Sequence, residues 1–373
     1  MRPNISPDSE ININKTYYKQ LTSVENYSPD EFLLPNEGKE NKIITSMKSL
    51  IQLLSKIEDM PFIEAQMHSV FNNHLDLTLF LKSYYDIFQE FELMKNKSTS
   101  KDKYDKIINN FITEIFQKNV SPTSGPRPII LFFMMASIIN KEFNELCPEY
   151  KNNISDEIVE NANLLDAILP YDQNKILCDS IIEKIKSFKK NKRSPFVDSF
   201  FFLGLQIKKC PGCTSIIHGQ TLQCEFLQLD IKEEKNYINE LIDDYFAEQF
   251  PEEEYECGIC GKISLISSTF YCLNAPNYLI MEFEDKNKVI FKDEIIIPLY
   301  DGREVKYKFI GAIYKKKVEN HSEFYAINKE KNKEGNEDII IIYDNDDIKE
   351  SKNYSLINSD NPSMAIYQGI TED

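Results

Sequence analysis

The sequence predicts an α+β fold, and three observations predict it. Up to about residue 190 the apolar side chains recur at helical spacing. Beyond about residue 195 they alternate or form short continuous runs divided by charged turns. Inside that second part lie two Cys-x-x-Cys pairs, CPGC at 210–213 and CGIC at 257–260. Helices in front and strands behind on one chain is the α+β pattern. The 373 residues, 42% of them hydrophobic, suit one large domain or two smaller ones and can bury a substantial core.

Taken in order, residues 1–35 are polar with few periodic apolar positions, and read as a flexible tail in which Tyr17, Tyr18 and Phe32 are the side chains able to pin it. From Ile43 a helical face begins, with Met47, Leu50, Leu54 and Ile57 in line. LDLTLFLKSYYDIFQEFELM, KIINNFITEIFQ and CDSIIEKIKSF continue the helical pattern. PIILFFMMASII is apolar all round but too short to span a bilayer, so it reads as a buried core helix. SFKKNKRSP, basic and ending in proline, marks a boundary. Then the period changes. FLQLDI alternates with Leu227, Leu229 and Ile231 on one side, as a half-buried strand does. YINELIDDYF returns briefly to helix through Ile238, Leu241, Ile242 and Tyr245. NYLIMEF, EIIIPLY, YKFIGAIY, FYAINK, DIIIIYD and MAIYQ follow as strands.

A net charge of -17 repels phosphate backbones, so direct nucleic-acid binding is not expected. No apolar run reaches membrane-spanning length, and the first residues lack the apolar core of a signal peptide. These features predict an intracellular protein, in nucleus or cytoplasm, in reducing surroundings. Eight cysteines there imply metal binding or free thiols rather than a disulfide framework.

Zinc takes four soft ligands at tetrahedral positions, and each Cys-x-x-Cys turn supplies two thiolates from one tight loop. Cys210, Cys213, Cys257 and Cys260 are therefore the predicted ligands of one structural zinc, with Pro211, Gly212, Gly258 and Gly261 supplying the turns. Cys224, Cys272 and His218 are alternative ligands. Cys147 and Cys178 read as core cysteines, and neither pair has the strand-then-helix setting of a redox dithiol.

With its flanks, this zinc ribbon resembles the ubiquitin-specific protease family of deubiquitinases (peptidase C19). SPFVDSFFFLGLQIKKCPGC is similar to that family's approach to its first knuckle. CEFLQLDI with INELIDDYFAEQF is similar to its next strand and helix, and EYECGICGK to its second knuckle. NAPNYLIMEFED, FYAINK, IIYDNDDI and MAIYQ are similar to its last strands. The resemblance covers roughly residues 36–370. It implies a papain-like fold with a helical thumb at about 36–190 and palm and fingers at about 195–373. The zinc-ribbon fingers would lie at about 208–275, in a single domain spanning 36–373. In the family those fingers cradle ubiquitin.

The same resemblance places the family's catalytic positions. Its thiol lies at the start of the first helix, before Met-Asn-Ser and Leu-Gln. NKIITSMKSLIQLLSK matches at Met47, Ser49, Gln52 and Leu54, and puts Thr45 where the cysteine belongs. The first cysteine of this sequence is Cys147, so no slip of alignment restores a thiol. The family's Gly-His-Tyr-x-Ala becomes SEFYA, with Glu323 in the histidine slot and His321 two residues earlier. Asp344 matches the third triad residue. The oxyanion slot falls on Glu40, or Asn41 with a slip, and the Gln-Gln-Asp motif is reduced to Tyr171, Asp172 and Gln173. A glutamate there would repel an oxyanion. A cysteine protease needs a thiol, a histidine and a group orienting it. The resemblance thus implies a catalytically degenerate member, with no catalytic residues, that binds ubiquitin, a ubiquitin-like protein or the subunits of a larger complex. Inactive relatives of that kind serve the splicing machinery and the poly(A)-shortening complex. Two alternatives stand beside it: an active thiol deubiquitinase working through Cys147 or Cys178, and an unrelated zinc-stabilised binding module.

Overall fold

A computed structural model describes residues 37–54, 100–118, 127–129, 131–133, 135–136, 140, 171–190, 194–231, 235–250, 254–283, 288–318, 321–331, 337–344, 347–358 and 361–370. The tail with Tyr17, Tyr18 and Phe32, the helix expected over LDLTLFLKSYYDIFQEFELM, and Cys147 lie outside these residues.

Helix α1 (Glu37–Leu54) is the centre of the helical part. Its sequence suggests one apolar face, yet every residue from 45 to 54 is buried. The reason is a layer on each side. The central sheet covers one side through Phe324, Ala326, Ile341 and Tyr343. Helix α2 (Lys101–Lys118) and helical residues between 128 and 140 close the other through Ile108, Phe111, Ile129 and Phe132. Burying Met47, Leu50, Ile51, Leu53 and Leu54 contributes about 1.5–3 kcal/mol each. Two polar contacts lie among them: Lys48 forms an ion pair with Asp105 of α2, and Asn328 Nδ2 donates to the Gln52 backbone carbonyl at 2.9 Å. PIILFFMMASII, read as a core helix, places Ile129, Leu131, Phe132 and Met135 in this core.

Helix α3 (Tyr171–Lys190) packs Cys178, Ile181 and Ile185 on Leu203, Leu205 and Ile207. Ser194, at the end of the basic segment, is tied to the helical part. Ser194 is buried, its N–H donates to Asn140 Oδ1 at 2.8 Å, and its hydroxyl accepts from the Val197 N–H, capping the short helix α4 (Pro195–Asp198).

The strands follow: β1 (Phe202–Lys209), β2 (Ile216–Cys224), β3 (Leu227–Leu229), β4 (Lys235–Tyr237), β5 (Glu254–Glu256), β6 (Ile263–Leu265), β7 (Ser267–Cys272), β8 (Tyr278–Phe283), β9 (Lys288–Ile290), β10 (Glu294–Pro298), β11 (Glu304–Val318), β12 (His321–Lys331), β13 (Asp338–Asp344), β14 (Asp347–Ser351) and β15 (Pro362–Gly369). Helix α5 (Ile238–Phe246) follows β4. The central sheet runs β14-β13-β12-β11-β15-β8-β3, with β10 paired to the first part of β11. Its pairs are antiparallel except β3 with β8. A three-stranded sheet, β2-β1-β7, leads to the first cysteine pair, and a separate antiparallel hairpin, β5-β6, carries the second.

Long β11 holds α1 close because of Gly311. A Cβ there would lie 2.5 Å from Asn328 Oδ1, 2.7 Å from the Ile327 carbonyl and 2.8 Å from Leu53 Cδ1. The opposite face of the sheet is rich in tyrosine. Tyr307 OH donates to the Pro276 carbonyl at 2.7 Å, Tyr367 OH to that of Lys292 at 3.1 Å, and Tyr314 OH to that of Ile357. Each ring fills the core while its hydroxyl finds a backbone acceptor.

Candidate functional site

The two cysteine pairs adopt one local structure twice. In the first, the Cys210 N–H donates to the Ser215 carbonyl and the Thr214 N–H to the Cys210 carbonyl. In the second, the Cys257 N–H donates to the Lys262 carbonyl and the Gly261 N–H to the Cys257 carbonyl. Both turns close on a left-handed residue, Thr214 at φ 58 and Gly261 at φ 69. Glycine takes that conformation freely, whereas a β-branched residue costs about 1–2 kcal/mol there. The Thr214 hydroxyl donates to the Cys213 carbonyl at 2.7 Å.

These turns bring the four sulfurs of Cys210, Cys213, Cys257 and Cys260 within 4.8 Å of one another. Two contacts run between the pairs, at 3.8 Å for Cys210–Cys260 and 3.7 Å for Cys213–Cys257. A disulfide needs about 2.05 Å. Four sulfurs at about 2.3 Å from a central tetrahedral ion stand about 3.8 Å apart. The donor set and its spacing therefore fit a metal ion. The thiols titrate unevenly without one. Burial pushes Cys210 up, but the N–H groups of Cys213 and Gly212 and the neighbouring thiols outweigh it and bring it down to about 6. At Cys260 the Lys262 N–H acts downward, and burial with the surrounding sulfurs raises it to about 11. Four thiolates this close need a cation between them.

The other sulfur candidates lie elsewhere. Cys224 stands opposite Phe202 and Cys272 opposite Gly204, at the far end of β1 from Cys210. Six or more residues of strand separate them from the cluster, about 20 Å. Burial first, then Glu225, pushes the Cys224 thiol up to about 12. Burial first, then Cys224, does the same at Cys272. His218, on β2, stands opposite Lys208 of β1 and is not in the four-sulfur group. Cys178 is fully enclosed between α3 and β1.

Of the positions matched to a catalytic triad, two are joined through a lysine and the third touches backbone next to one of them. Thr45 Oγ1 accepts the N–H of Phe324 at 3.2 Å, so it touches the backbone beside Glu323. Thr45 was expected near a helix start. It lies instead in the third turn of α1, which begins at Glu37 with an acidic, lysine-rich opening. Glu323 and Asp344 are joined by a residue that sequence reasoning missed, Lys316. Its ammonium lies 3.4 Å from Glu323 Oε2 and forms a hydrogen-bonded ion pair with Asp344. The antiparallel register places Lys316 directly opposite Glu323. Burial opposes the ammonium's charge, but the bond to Asp344 and the attraction of both carboxylates prevail, and its pKa is raised. The only advance signal was spacing. A two-residue turn between Val318 and His321 would pair 316 with 323.

His321 begins β12, two residues from Glu323. Glu40 and Asn41 lie in α1, and Tyr171, Asp172 and Gln173 open α3.

No family model matches the chain, and no curated protein matches its sequence. Solved structures do match its shape. A SAGA DUB module of Ubp8, Sgf11, Sus1 and Sgf73, with a shortened Sgf11, aligns at a TM-score of 0.62 and 15% identity, covering 99% of this chain and 77% of that one. A yeast SAGA DUB module carrying a mutant Sgf73 aligns at 0.51 and 14%, covering 100% and 76%. The Ubp8, Sgf11, Sus1 and Sgf73 module bound to ubiquitin aldehyde aligns at 0.50 and 14%, covering 100% and 77%. The fold is thus the mixed helix-and-sheet fold of ubiquitin-specific protease structures, with four cysteines able to hold a metal. Among the described residues no helix is long and apolar enough to cross a membrane.

Proposed function

We propose that this chain is a catalytically inert protein of ubiquitin-specific protease fold, intracellular, that binds ubiquitin or a ubiquitin-like protein, or serves as a subunit of a larger complex. One arrangement carries this reading: a threonine stands where the thiol belongs, and a lysine clamps the two carboxylates that should be a histidine and its orienting acid. A hydroxyl needs a neighbouring base to become a nucleophile. Glu323 is a weak base, and it is held by the Lys316 ammonium at 3.4 Å. The likeness to a module solved with ubiquitin aldehyde and with partner subunits supports the binding role.

Zinc is the metal that suits four thiolates at this spacing. Cys210, Cys213, Cys257 and Cys260 would hold it, and it would fasten the β5-β6 hairpin to the end of β1. Its role is structural, since four protein ligands leave no open position. Metal analysis of protein purified without chelator should find about one zinc per chain.

The test of inertness is hydrolysis of a fluorogenic ubiquitin C-terminal amide. The expected rate equals the buffer blank and does not change in Thr45→Ala. Turnover that survives re-purification and is lost in Thr45→Ala or His321→Ala contradicts the proposal. So does labelling of Cys147 or Cys178 by an activity-based ubiquitin probe.

A further inference from the structure

The β5-β6 hairpin has two unlike faces. Ser264 turns inward, its hydroxyl 4.0 Å from the Cys210 sulfur. On the other face stand Ile263 and Leu265, each directly across from an exposed glutamate, Glu256 and Glu254. Ile263 is 67% exposed and Leu265 40%, and Ile259 in the adjoining cysteine turn is 69% exposed. The result is a bare checkerboard of aliphatic and acidic side chains.

The backbone of β6 is also open. The Cys257 N–H bonds to Lys262, and pairing alternates along an antiparallel ladder. Tyr255 and Ser264 therefore face each other, while the N–H and C=O groups of Ile263 and Leu265 point away from β5. They have no hydrogen-bond partner among the described residues. An open edge flanked by exposed aliphatic side chains is a template for another strand.

We propose that this edge and face form a docking surface for an extended segment of a partner protein, aliphatic and basic on one side, which adds to β6 as a third strand. Aliphatic residues of that strand would lie beside Ile263 and Leu265, and arginine or lysine would reach across to Glu254 and Glu256. A second copy of this chain is disfavoured as occupant, because both copies carry a net charge of -17 and the same acidic strand. The proposal does not rest on ubiquitin binding, and the peptide is titrated with no ubiquitin present.

The test uses the zinc-loaded full chain and a fluorescein-labelled peptide, Arg-Thr-Val-Thr-Arg-Thr-Val-Thr-Arg, followed by anisotropy at physiological salt. Two further peptides carry N-methyl groups, one on the valine and arginine amides and one on the threonine amides. The expected result is saturable binding, lost at least tenfold with one methylated set and kept with the other. Ile263→Asp and Leu265→Asp should each weaken binding about tenfold, and Glu254→Lys several-fold, with zinc content unchanged. Four outcomes overturn the proposal. These are no binding up to millimolar peptide, equal binding by all three peptides, binding that emerges only after residues 1–35 are removed, and a dimer in sedimentation that Ile263→Asp disperses. The methylated pair reads backbone pairing even if a variant fails to fold.

Discussion

The four-cysteine cluster and the positions matched to the triad differ in what joins their residues. In the cluster, four sulfurs from strands 44 to 50 residues apart meet within 4.8 Å, and two turns repeat the same hydrogen bonds. At the positions matched to the triad, Thr45 accepts the backbone N–H of Phe324, while Glu323 and Asp344 share the ammonium of Lys316. Buried α1 packs on β12 and sets Thr45 against the backbone next to Glu323, whereas a four-ligand metal site needs all four sulfurs. Lys316 between Glu323 and Asp344 offsets the repulsion that two neighbouring carboxylates would otherwise feel.

The comparison can be broken at four points. The largest effect belongs to the cluster. Cys257→Ser should abolish stoichiometric metal and cost about 3–5 kcal/mol of unfolding free energy, whereas Cys224→Ser should leave the metal in place, as read by metal analysis and calorimetry. Next is the contact that seats α1. Gly311→Ala forces a Cβ against the Ile327 carbonyl and should cost about 2–3 kcal/mol in denaturant unfolding. Removing the clamp is milder. Lys316→Met should cost about 1 kcal/mol at pH 7, since the pair is partly exposed. Its sign with pH is fixed. The raised lysine pKa gives a contribution fully present below the unfolded lysine value and lost as pH rises through the folded one, so wild type and variant should converge in stability at strongly alkaline pH. Smallest, and opposite in sign, is Thr214→Gly. It removes a strained left-handed β-branched residue and should raise stability by about 0.5–1 kcal/mol with metal content unchanged.

Much of the fold was legible because its signals are local. EIIIP alternates outward glutamate with buried Ile295 and Ile297 and forms β10, and Ile238, Leu241 and Ile242 mark the buried face of α5. The cysteine spacing announced the cluster in the same way. Pairing over distance was not legible: β3 joins β8 in parallel, and β4 joins β9, across some 50 residues each. FLQLDI shows the limit, since Ile231 continues the alternation but the strand ends at Leu229. The depth of α1 was hidden because a one-sided pattern says nothing of a second layer. Lys316 was hidden for a plainer reason. In the run Lys315, Lys316 and Lys317 it reads as solvated charge until the hairpin register sets it against Glu323.

The most direct measurement is an NMR titration of isotope-labelled ubiquitin, extended by a residue joined through its C-terminal amide, with the zinc-loaded chain. The account predicts shifts clustered on ubiquitin's hydrophobic patch and tail, and an amide that remains intact over days. Release of the extra residue, in a manner removed by Thr45→Ala, would contradict it. So would the absence of any shift at high concentration, if no partner protein is found to occupy the fold in ubiquitin's place.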